Sequence, residues 1–354
     1  KVLMYNSKEA FPTNAAFKVK VNGEIQNITF LQMIKHVESL GTELSARGFD
    51  GKRMGIIGEN SYPWFNCFLS IVCGGNIAVP FDKGLTAEEL AQCVDRSDIK
   101  ALFYDEKHQE LVDRIKEQCH KDLELFRITG ENNDLDEMRT AGDIKLTAGD
   151  RTYLDRPVNR SDLAVFLFTS GTTSTSKVVM LSHDNIASNI NDMLQMKIFY
   201  PTDVNMAFLP FHHSFGLVGC LVFLSSGCAN VFCDGLKYVA KNLEEYGVTV
   251  FVGVPLIVEN LYYKIMKQVE KQGMMGKVEK GLKMAALLDK VGIHARRKIF
   301  SAIIEKLGGH LRLIICGAAS LSKEVAQGLN NFGIVTIQGY GLTETSPVLT
   351  AERP

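Results

Sequence analysis

The sequence predicts an α/β protein made of two stacked βα-alternating subdomains, whose mostly parallel sheets are covered by helices. Short apolar segments typical of buried strands alternate with segments of helical periodicity through most of the chain. Such alternation indicates parallel strands with helices on the sheet faces. One polar, weakly patterned segment, residues 131–160, interrupts the alternation, and we expect it to be an exposed connection between the subdomains.

Composition narrows the class of protein. The 354 residues include 39 Lys and Arg against 40 Asp and Glu, a net charge of −1, and 46% are hydrophobic. These values are typical of a globular protein and exclude disordered, collagen-like and coiled-coil chains. The charge balance argues against a dedicated nucleic-acid binder. The eight cysteines form no C-x-x-C pair and lie mostly in apolar runs, which indicates free thiols and a cytoplasmic protein.

The first subdomain, residues 1–160, begins with a predicted hairpin that turns at Asn22-Gly23. Two capping boxes, Thr29 with Gln32 and Thr86 with Glu89, are predicted to open helices. We expect strands at 16–21, 25–30, 54–57, 77–81 and 101–104, and helices from 30 to 47, from 62 to 73 and from 87 to 96.

The second subdomain, residues 161–354, resumes the alternation. Its longest stretch without a charged residue, 204–233, contains Pro210 and several Gly and Ser, so it predicts strand, turn, buried helix and strand, not a membrane helix. We expect strands at 163–168, 206–209, 231–233, 249–252, 311–315 and 335–337.

A basic segment, residues 264–312, stands out within the second subdomain. Twelve Lys and Arg against four acids give it a charge of +8, which leaves −9 for the rest of the chain. It is either a solvated helix pair or a basic face for anionic lipid headgroups or a phosphorylated ligand.

The first chemical motif, 169–177, reads T-S-G-T-T-S-T-S-K and follows an apolar strand. Its hydroxyls, backbone N–H groups and Lys177 are the groups needed to surround phosphate oxygens. A Walker A loop is excluded because the second glycine is absent and Val178 follows the lysine. The alternative is an ordinary Ser/Thr-rich surface loop.

The second motif, 210–216, reads P-F-H-H-S-F-G and also follows a strand. Two histidines between phenylalanines make a partly apolar surrounding with polar tips, which is suited to orienting a carboxylate. The alternative is that the histidines cap a helix or make a core hydrogen bond. Metal binding is disfavoured, because neighbouring side chains diverge and no third ligand is nearby.

The third motif, 338–345, reads Q-G-Y-G-L-T-E-T. Its glycines allow close backbone approach, and Tyr340 offers a stacking face. Thr343 and Glu344 supply a hydroxyl and a carboxylate, which suit a phosphate and its Mg²⁺. The alternative is a strand-end turn that caps a helix.

In this order, the three motifs resemble the adenylate-forming superfamily of acyl-CoA synthetases, firefly luciferase and peptide-synthetase adenylation domains. A fourth stretch, C-G-A-A-S-L at 316–321, resembles the adenine-binding segment of that superfamily. The resemblance covers essentially the whole chain, as the large N-terminal domain of the family. The basic helical segment before L-G-G-H-L-R-L-I is similar to long-chain fatty acyl-CoA ligases in particular.

The resemblance implies activation of a carboxylic acid by ATP, with Mg²⁺, and transfer of the acyl group to CoA. It implies catalytic roles for His213, Thr343, Glu344 and Lys177, with Glu344 as the Mg²⁺ ligand. It implies nucleotide binding by Thr169, Ser170, Gly171, Thr172, Thr173, Lys177, Gly317, Ala318, Ala319, Gly339, Tyr340, Gly341 and Thr343. It implies an acyl site at His213, Phe215 and Gly216.

Two departures from the family pattern matter. The glycines and proline usual near the loop lysine are replaced by Ser174, Ser176 and Val178, which should restrict the backbone. The chain stops ten residues after Glu344, so we expect the C-terminal catalytic domain to lie beyond it and this part to be nearly inactive alone. The alternatives are a ligase for aryl or short acids or for acyl-carrier protein, and a non-catalytic nucleotide-binding homologue.

Overall fold

The protein is described here by a computed structural model that covers residues 1–169 and 177–353. The strands in these residues are β1 Ala15–Val21, β2 Glu24–Thr29, β3 Arg53–Ile57, β4 Ile77–Pro80, β5 Ala101–Tyr104, β6 Glu124–Arg127, β7 Leu163–Thr169, β8 Lys177–Ser182, β9 Val204–Ala207, β10 Ala229–Phe232, β11 Val250–Gly253, β12 Leu313–Cys316, β13 Val335–Gly341 and β14 Val348–Ala351.

The helices are α1 Val2–Ala10, α2 Phe30–Ala46, α3 Tyr62–Cys73, α4 Ala87–Ser97, α5 Gln109–Gln118, α6 Asp134–Thr147, α7 Thr152–Asp155, α8 His183–Leu194, α9 Ser214–Ser225, α10 Val239–Glu245, α11 Pro255–Lys271, α12 Met275–Lys290, α13 Arg296–Ile299, α14 Ser301–Glu305 and α15 Lys323–Asn331. Within the described ranges, no helix is both long and apolar enough to cross a bilayer.

The strands form two sheets. One has eight strands in the order β14-β13-β12-β11-β9-β10-β1-β2, and the other has six in the order β6-β5-β3-β4-β7-β8. Antiparallel pairing is confined to three edge strands, β2, β8 and β14, and the other recorded pairs are parallel. The predicted α/β class with mostly parallel sheets is confirmed.

The two sheets exchange strands along the sequence. The hairpin β1-β2 comes early in the chain but pairs with the eight-stranded sheet, and β7 and β8 follow residue 160 but complete the six-stranded sheet. The division of the chain into 1–160 and 161–354 therefore does not assign one sheet to each part, and it stays a prediction about domains. Both sheets share a core, in which Phe65 of α3 lies 5.6 Å from Phe17 of β1 and 5.2 Å from Phe211, ring centre to ring centre.

Several local predictions are confirmed. The hairpin turns at Asn22-Gly23, where both residues have positive φ. Both capping boxes form, at Thr29 and at Thr86. The uncharged stretch folds as strand, turn, buried helix and strand, namely β9, α9 and β10. All eight cysteines are free thiols, as predicted.

The prediction for residues 131–160 is wrong. This segment contains α6, which packs along α2, and α7, whose Tyr153 is buried and donates from its hydroxyl to the Ser70 carbonyl at 3.0 Å. A Cβ on Gly142 of α6 would lie 1.8 Å from the Ser39 carbonyl oxygen of α2. The two helices approach so closely that α6 has a glycine where a large apolar residue would usually stand. The apolar periodicity that normally reveals a packed helix in the sequence is therefore weak in α6.

Candidate functional site

The carboxyl ends of four strands of the eight-stranded sheet meet at one edge. Parallel strands place these ends side by side, and ligands of open α/β sheets bind outside them. The residues that follow or end the strands are Phe208–Pro210 after β9, Val254 after β11, Gly317 and Ala318 after β12, and Gly339–Gly341 in β13. Three of the four motifs found in the sequence are therefore neighbours in the structure.

A cavity of about 570 Å³ lies at this edge. Its wall includes predicted site residues, namely His213, Phe215, Gly216, Gly317, Ala318, Gly339, Tyr340, Gly341 and Thr343. The rest of the wall is mainly apolar and includes Met193, Met196, Ile198, Phe199, Phe208, Val254, Ile257 and Ile315. We refer to this space as the apolar cavity.

A second cavity, of about 610 Å³, adjoins the first across the end of β13. The two share Ala318, the segment 339–342 and Ala351, and residues that line only the second include Ala319, Ser320 and Glu352. Ala318, Ala319 and Tyr340, which the resemblance places around adenine, each line one or both cavities. The two cavities together offer an apolar space and a more polar one, joined at the Gly-Tyr-Gly segment.

Glycine is required at two points of this edge. A Cβ on Gly341 would lie 1.8 Å from the Pro347 carbonyl oxygen, and one on Gly216 would lie 2.5 Å from the Pro210 carbonyl oxygen. Real Cβ atoms essentially never come that close to backbone oxygen. The chain thus folds back tightly on both sides of the apolar cavity, which is what lets the two motifs approach each other.

Thr343 and Glu344 lie in a single 3₁₀ turn, Thr343–Thr345, after β13. The turn is closed by Thr345, whose Oγ1 accepts from the Leu342 N–H at 2.9 Å. The hydroxyls of Ser214, at the start of α9, and Thr343 lie 3.5 Å apart, so the second and third motifs are in direct contact. Glu344 is exposed.

His212 and His213 are neighbours with ring centres 4.2 Å apart, but they face different spaces. His213 lines the apolar cavity. His212 instead lines a third cavity of about 890 Å³, with its Nε2 3.5 Å from Asp82 Oδ2. Adjacent side chains diverge, as expected from the sequence, so one turn separates two cavities.

Burial keeps both imidazoles neutral at pH 7. For His212, loss of water together with the nearby His213 and Lys83 lowers the pKa to about 4, against the opposing effect of Asp82. Burial likewise lowers the pKa of His213. A neutral imidazole has one N–H donor and one acceptor nitrogen. His213 can therefore hydrogen-bond a substrate oxygen without bringing a charge into the apolar cavity.

The first motif is described only at its two ends. Thr169 ends β7 and Lys177 begins β8, and the two are register partners in an antiparallel pair. Ser170, Gly171, Thr172 and Thr173, which the sequence assigned to phosphate binding, lie outside the described residues, as do Ser174 and Ser176. β8 packs beside the Thr343–Thr345 turn, so the base of the first motif adjoins the third. Neither Thr169 nor Lys177 lines the cavities described above.

Two asparagines that sequence reasoning missed hold the site together. Asn60, after β3, donates from Nδ2 to the Leu209 carbonyl at 2.7 Å and accepts on Oδ1 from the Phe211 N–H at 3.3 Å. Asn189 of α8 donates to the Val348 carbonyl at 2.7 Å. Asn60 carries a signal that could have been used, because it is a polar residue three positions after the end of β3. Asn189 carries none, since it lies in the middle of a helix.

The apolar residues of the cavity wall were also not found from the sequence. Met193 near the end of α8, Met196 two residues beyond α8 and Ile257 in α11 belong to no motif. Their side chains look like ordinary core residues in the sequence, and only the tertiary fold leaves space beside them. Among the described residues, no group of three or more His, Cys, Asp or Glu is arranged to hold a metal ion.

Comparisons with known proteins identify the family of the chain. The profile of the family described as "AMP-binding enzyme" matches residues 5–354. Long-chain-fatty-acid–CoA ligase 5 of Rattus norvegicus is 29% identical over 92% of this chain and 51% of its own length. Long chain acyl-CoA synthetase 4 of Arabidopsis thaliana is 26% identical over 90% of this chain and 52% of its own. The chain thus spans about half the length of these relatives.

Solved structures share the fold. MatB of Rhodopseudomonas palustris, without ligand, has a TM-score of 0.72 at 23% identity over 99% of this chain and 62% of its own. The N-terminal domain of FACL13 of Mycobacterium tuberculosis has a TM-score of 0.74 at 18% identity over 99% of this chain and 77% of its own. At these identities, the likeness concerns the fold.

Proposed function

The chain belongs to the AMP-binding enzyme family, and we propose that it is the nucleotide- and acyl-binding part of an AMP-forming long-chain fatty acid–CoA ligase. The observation that carries the proposal is the meeting of His213, Thr343 and the Gly-Tyr-Gly segment around a cavity whose remaining wall is apolar. A fatty acid needs such a wall for its chain and polar groups for its carboxylate. The names of the rat and Arabidopsis relatives support the same substrate class.

The proposed reaction has two steps. A carboxylate oxygen attacks the α-phosphorus of ATP, the bond to the β-phosphate oxygen breaks, and pyrophosphate leaves. The thiol of CoA then loses its proton, the resulting thiolate attacks the acyl carbonyl carbon, and AMP leaves with the electron pair of the C–O bond. Activation is necessary because a free carboxylate is a poor electrophile until its oxygen is part of a good leaving group.

The residues divide this work between three groups. We assign the carboxylate to neutral His213, with Phe215 and Gly216 as adjoining acyl wall. We assign adenine to Gly317, Ala318, Ala319, Gly339, Tyr340 and Gly341. We assign the phosphates to Thr343 and to the segment formed by Thr169, Ser170, Gly171, Thr172, Thr173 and Lys177. The contact of Ser214 with Thr343 supports a single site, since it joins the carboxylate and phosphate groups of residues.

Glu344 suits Mg²⁺ as one carboxylate that shares the ion with nucleotide phosphates and water. Mg²⁺ is usually bound in this way, through one or two carboxylates together with substrate phosphates. The exposure of Glu344 on the turn next to Thr343 fits that donor set. When bound, the ion supplies charge neutralisation at the phosphates.

This chain spans about half the length of its relatives from rat and Arabidopsis. A further proposal concerns the other half. Catalytic groups held in the correct geometry account for much of an enzyme's rate. We propose that groups from the remaining half complete the site, so that the 354-residue chain alone binds both substrates but turns over very slowly. We also propose a cytoplasmic location with a peripheral membrane contact through residues 264–312.

Pyrophosphate release by the complete gene product tests the function. With Mg-ATP and a series of saturated fatty acids, we expect the largest kcat/KM for long chains. An optimum at acetate or benzoate would contradict the long-chain proposal, and activity with acyl-carrier protein but not CoA would contradict the acceptor. If the folded protein released no pyrophosphate with any carboxylate, the ligase proposal would be wrong. The alternative, a non-catalytic nucleotide-binding homologue, would then be favoured.

Lys177→Ala tests the phosphate segment within the same assay. We expect a higher KM for ATP and a lower kcat, because the ammonium group is the only full positive charge in the 169–177 motif. Lys52→Ala is the matched control, since Lys52 is exposed and precedes β3, away from the motifs. Unchanged ATP kinetics in Lys177→Ala would remove the segment from the mechanism.

A further inference from the structure

The arginines and the lysines of residues 264–312 differ in whether their charge is free to contact another molecule. Each arginine is held by the protein itself: Arg296 by Asp289 at 2.7 Å, Arg297 by the Leu311 carbonyl at 2.7 Å, and Arg312 by Asp203. The lysines of α12 differ. For Lys277, Lys280, Lys283 and Lys290, no ion pair or side-chain hydrogen bond is recorded within the described part of the chain. The same holds for Lys264, Lys267 and Lys271 of α11 and Lys298 of α13, so the free charge of the segment lies on its lysines, four of which α12 carries.

The inner and outer faces of α12 have different chemistry. Its inner face carries Val278, Gly281 and Ala285, which are buried. A Cβ on Gly281 would lie 3.1 Å from the Phe300 ring, so the helix is packed firmly against the protein. Its outer face is exposed, and the packing of the inner face determines which residues the outer face presents.

Large apolar side chains stand on that outer face. Met284, Leu287 and Val291 follow one another at spacings of three and four, which places them in one row. Their exposed fractions are 55%, 65% and 69%, and Ile293 just beyond them is 53% exposed. Packing within the described protein does not account for this row, because each side chain is more than half exposed.

Lysines border the row. Lys280 lies four residues before Met284, Lys283 four before Leu287, and Lys290 directly precedes Val291. The helix carries two acids, Glu279 and Asp289, and the Asp289 carboxylate is paired with Arg296. Apolar side chains between free lysines match a bilayer that has anionic headgroups above hydrocarbon. A polyanion such as RNA would use the lysines but would leave the apolar row exposed to water.

We propose that the outer face of α12 is a membrane-binding surface for anionic lipids, with Met284, Leu287 and Val291 entering the interface and Lys280, Lys283 and Lys290 contacting headgroups. This inference rests on the peripheral membrane contact proposed above and specifies where it lies. The surface binds bilayers in the absence of substrate, and it serves to hold the protein where long-chain acids concentrate.

Cosedimentation with vesicles tests the surface. The probes are vesicles of equal parts phosphatidylcholine and phosphatidylglycerol and vesicles of phosphatidylcholine alone, at about 0.1 M and about 1 M salt, where the Debye length is about 10 and about 3 Å. We expect binding to the anionic vesicles that weakens with salt. Equal binding to both vesicle types, or none to the anionic ones, would overturn the proposal.

Charge-reversal variants locate the surface. K280E/K283E/K290E should bind anionic vesicles on the order of 100-fold more weakly, since each lysine near an anionic surface contributes roughly a factor of five. The matched control K52E/K116E/K323E changes the total charge equally at exposed lysines elsewhere and should stay within about twofold of the parent protein. Equal loss in both variants would show a general charge effect and would overturn the assignment to α12.

The apolar row has its own variant, M284S/L287S/V291S. We expect it to lose the binding that remains at high salt, because that part depends on hydrocarbon contact. Binding of duplex RNA is measured with the parent protein as well. If the parent protein bound duplex RNA but no vesicles, the lysines would be assigned to a polyanion instead. Pyrophosphate release measured without vesicles tests the ligase function separately, so either proposal can fail alone. Circular dichroism confirms folding of each variant.

Discussion

The two ends of the eight-stranded sheet are built in opposite ways. At the amino end of β9, β11 and β12, the residues Asp203, Thr249 and Arg312 form a closed polar network. At the carboxyl end of the same strands, glycines and apolar side chains surround open space. The strands in between are only four residues long, so the two arrangements lie about 13 Å apart along the chain.

The amino-end network leaves its strongest groups fully paired. Asp203 is 3% exposed; its Oδ1 accepts from Arg312 Nε at 2.8 Å and from the Thr249 hydroxyl at 2.7 Å. Arg312 also donates to the Ile198 carbonyl at 2.7 Å, and its guanidinium lies 4.6 Å from the centre of the Tyr200 ring. This network at the amino end holds β9, β11 and β12 in register. The polar groups of Asp203, Thr249 and Arg312 are used within the network and are not available to a ligand.

The carboxyl end keeps its groups available. Among residues 1–169 and 177–353, the one side-chain hydrogen-bond contact of Thr343 is with the Ser214 hydroxyl at 3.5 Å, which is weak, and Tyr340 is 60% exposed. The comparison teaches that one end of the sheet provides stability while the other provides the site. Substitutions at the amino end should therefore lower the stability of the protein, and substitutions at the carboxyl end should weaken ligand binding.

The largest effect should come from Asp203→Ala at the amino end. The change leaves the Arg312 guanidinium without its carboxylate, and breaking one partner of a buried ion pair costs about 3–5 kcal/mol of unfolding free energy. Urea denaturation measures the loss. Asp184→Ala is the control, because the Asp184–Arg160 pair is exposed and such a pair contributes only about 0–1 kcal/mol. Similar losses in both variants would contradict the account of the amino end.

Gly341→Ala should reverse this pattern at the carboxyl end. The new Cβ would meet the Pro347 carbonyl at 1.8 Å, so the turn that carries Thr343 and Glu344 must shift. A shift of about 1 Å at a site can cost about 100-fold in rate, and we expect a loss of that order in kcat/KM for pyrophosphate release. Gly276→Ala, where no atom lies within 4 Å of the new Cβ, should be neutral. A fully active Gly341→Ala enzyme would refute the role of this close approach.

Tyr340→Ala should have a smaller effect, on nucleotide binding alone. Stacking of a base on an aromatic ring is worth about 1–3 kcal/mol, so the Kd for ATP should rise roughly tenfold or more, while Tyr340→Phe should bind as the parent does. Calorimetric titration measures both. The hydroxyl, not the ring, would be the important group if Tyr340→Phe were as weak as Tyr340→Ala.

The smallest effect concerns pH and His212. Its pKa of about 4 in the folded protein lies below the ordinary value of 6.5, so the unfolded chain binds more protons between these two values. Stability therefore falls as pH drops from about 6.5 toward 4, by on the order of 1 kcal/mol after allowance for partial solvent screening. His212→Gln should lose less stability between pH 7 and pH 5 than the parent. An unchanged pH dependence would argue against a neutral, buried His212.

The sequence predicts the site end of the sheet better than it predicts the rest. The motifs at 210–216, 316–321 and 338–345 follow strands, and parallel strands necessarily bring such segments together. Asp203, Thr249 and Arg312 were not found, because three isolated polar residues far apart in sequence meet only after the strands pair. The apolar wall was missed for the same reason, since Met196 and Ile257 look like core residues.

The prediction of secondary structure from the sequence was wrong where the usual sequence signals are weak. α6 was missed because its packing face uses Gly142 in place of a large apolar residue. The edge strands β8 and β14 were missed as well. Both pair antiparallel with the strand just before them in the chain, so they lack the intervening helix that precedes most other strands, and they also lack an Asn-Gly turn such as the one that marks the β1-β2 hairpin.

Binding of a non-hydrolysable long-chain acyl-adenylate analogue tests the central claim most directly, because it fills the acyl and nucleotide parts of the proposed site at once. Intermediate analogues bind more tightly than substrates, so calorimetry should give one site per protein and a Kd well below that of ATP alone. Gly341→Ala should weaken this binding, and Asp203→Ala, at a temperature where it is folded, should not. Failure of the folded parent protein to bind the analogue would contradict the claim that the carboxyl end of the eight-stranded sheet is the site.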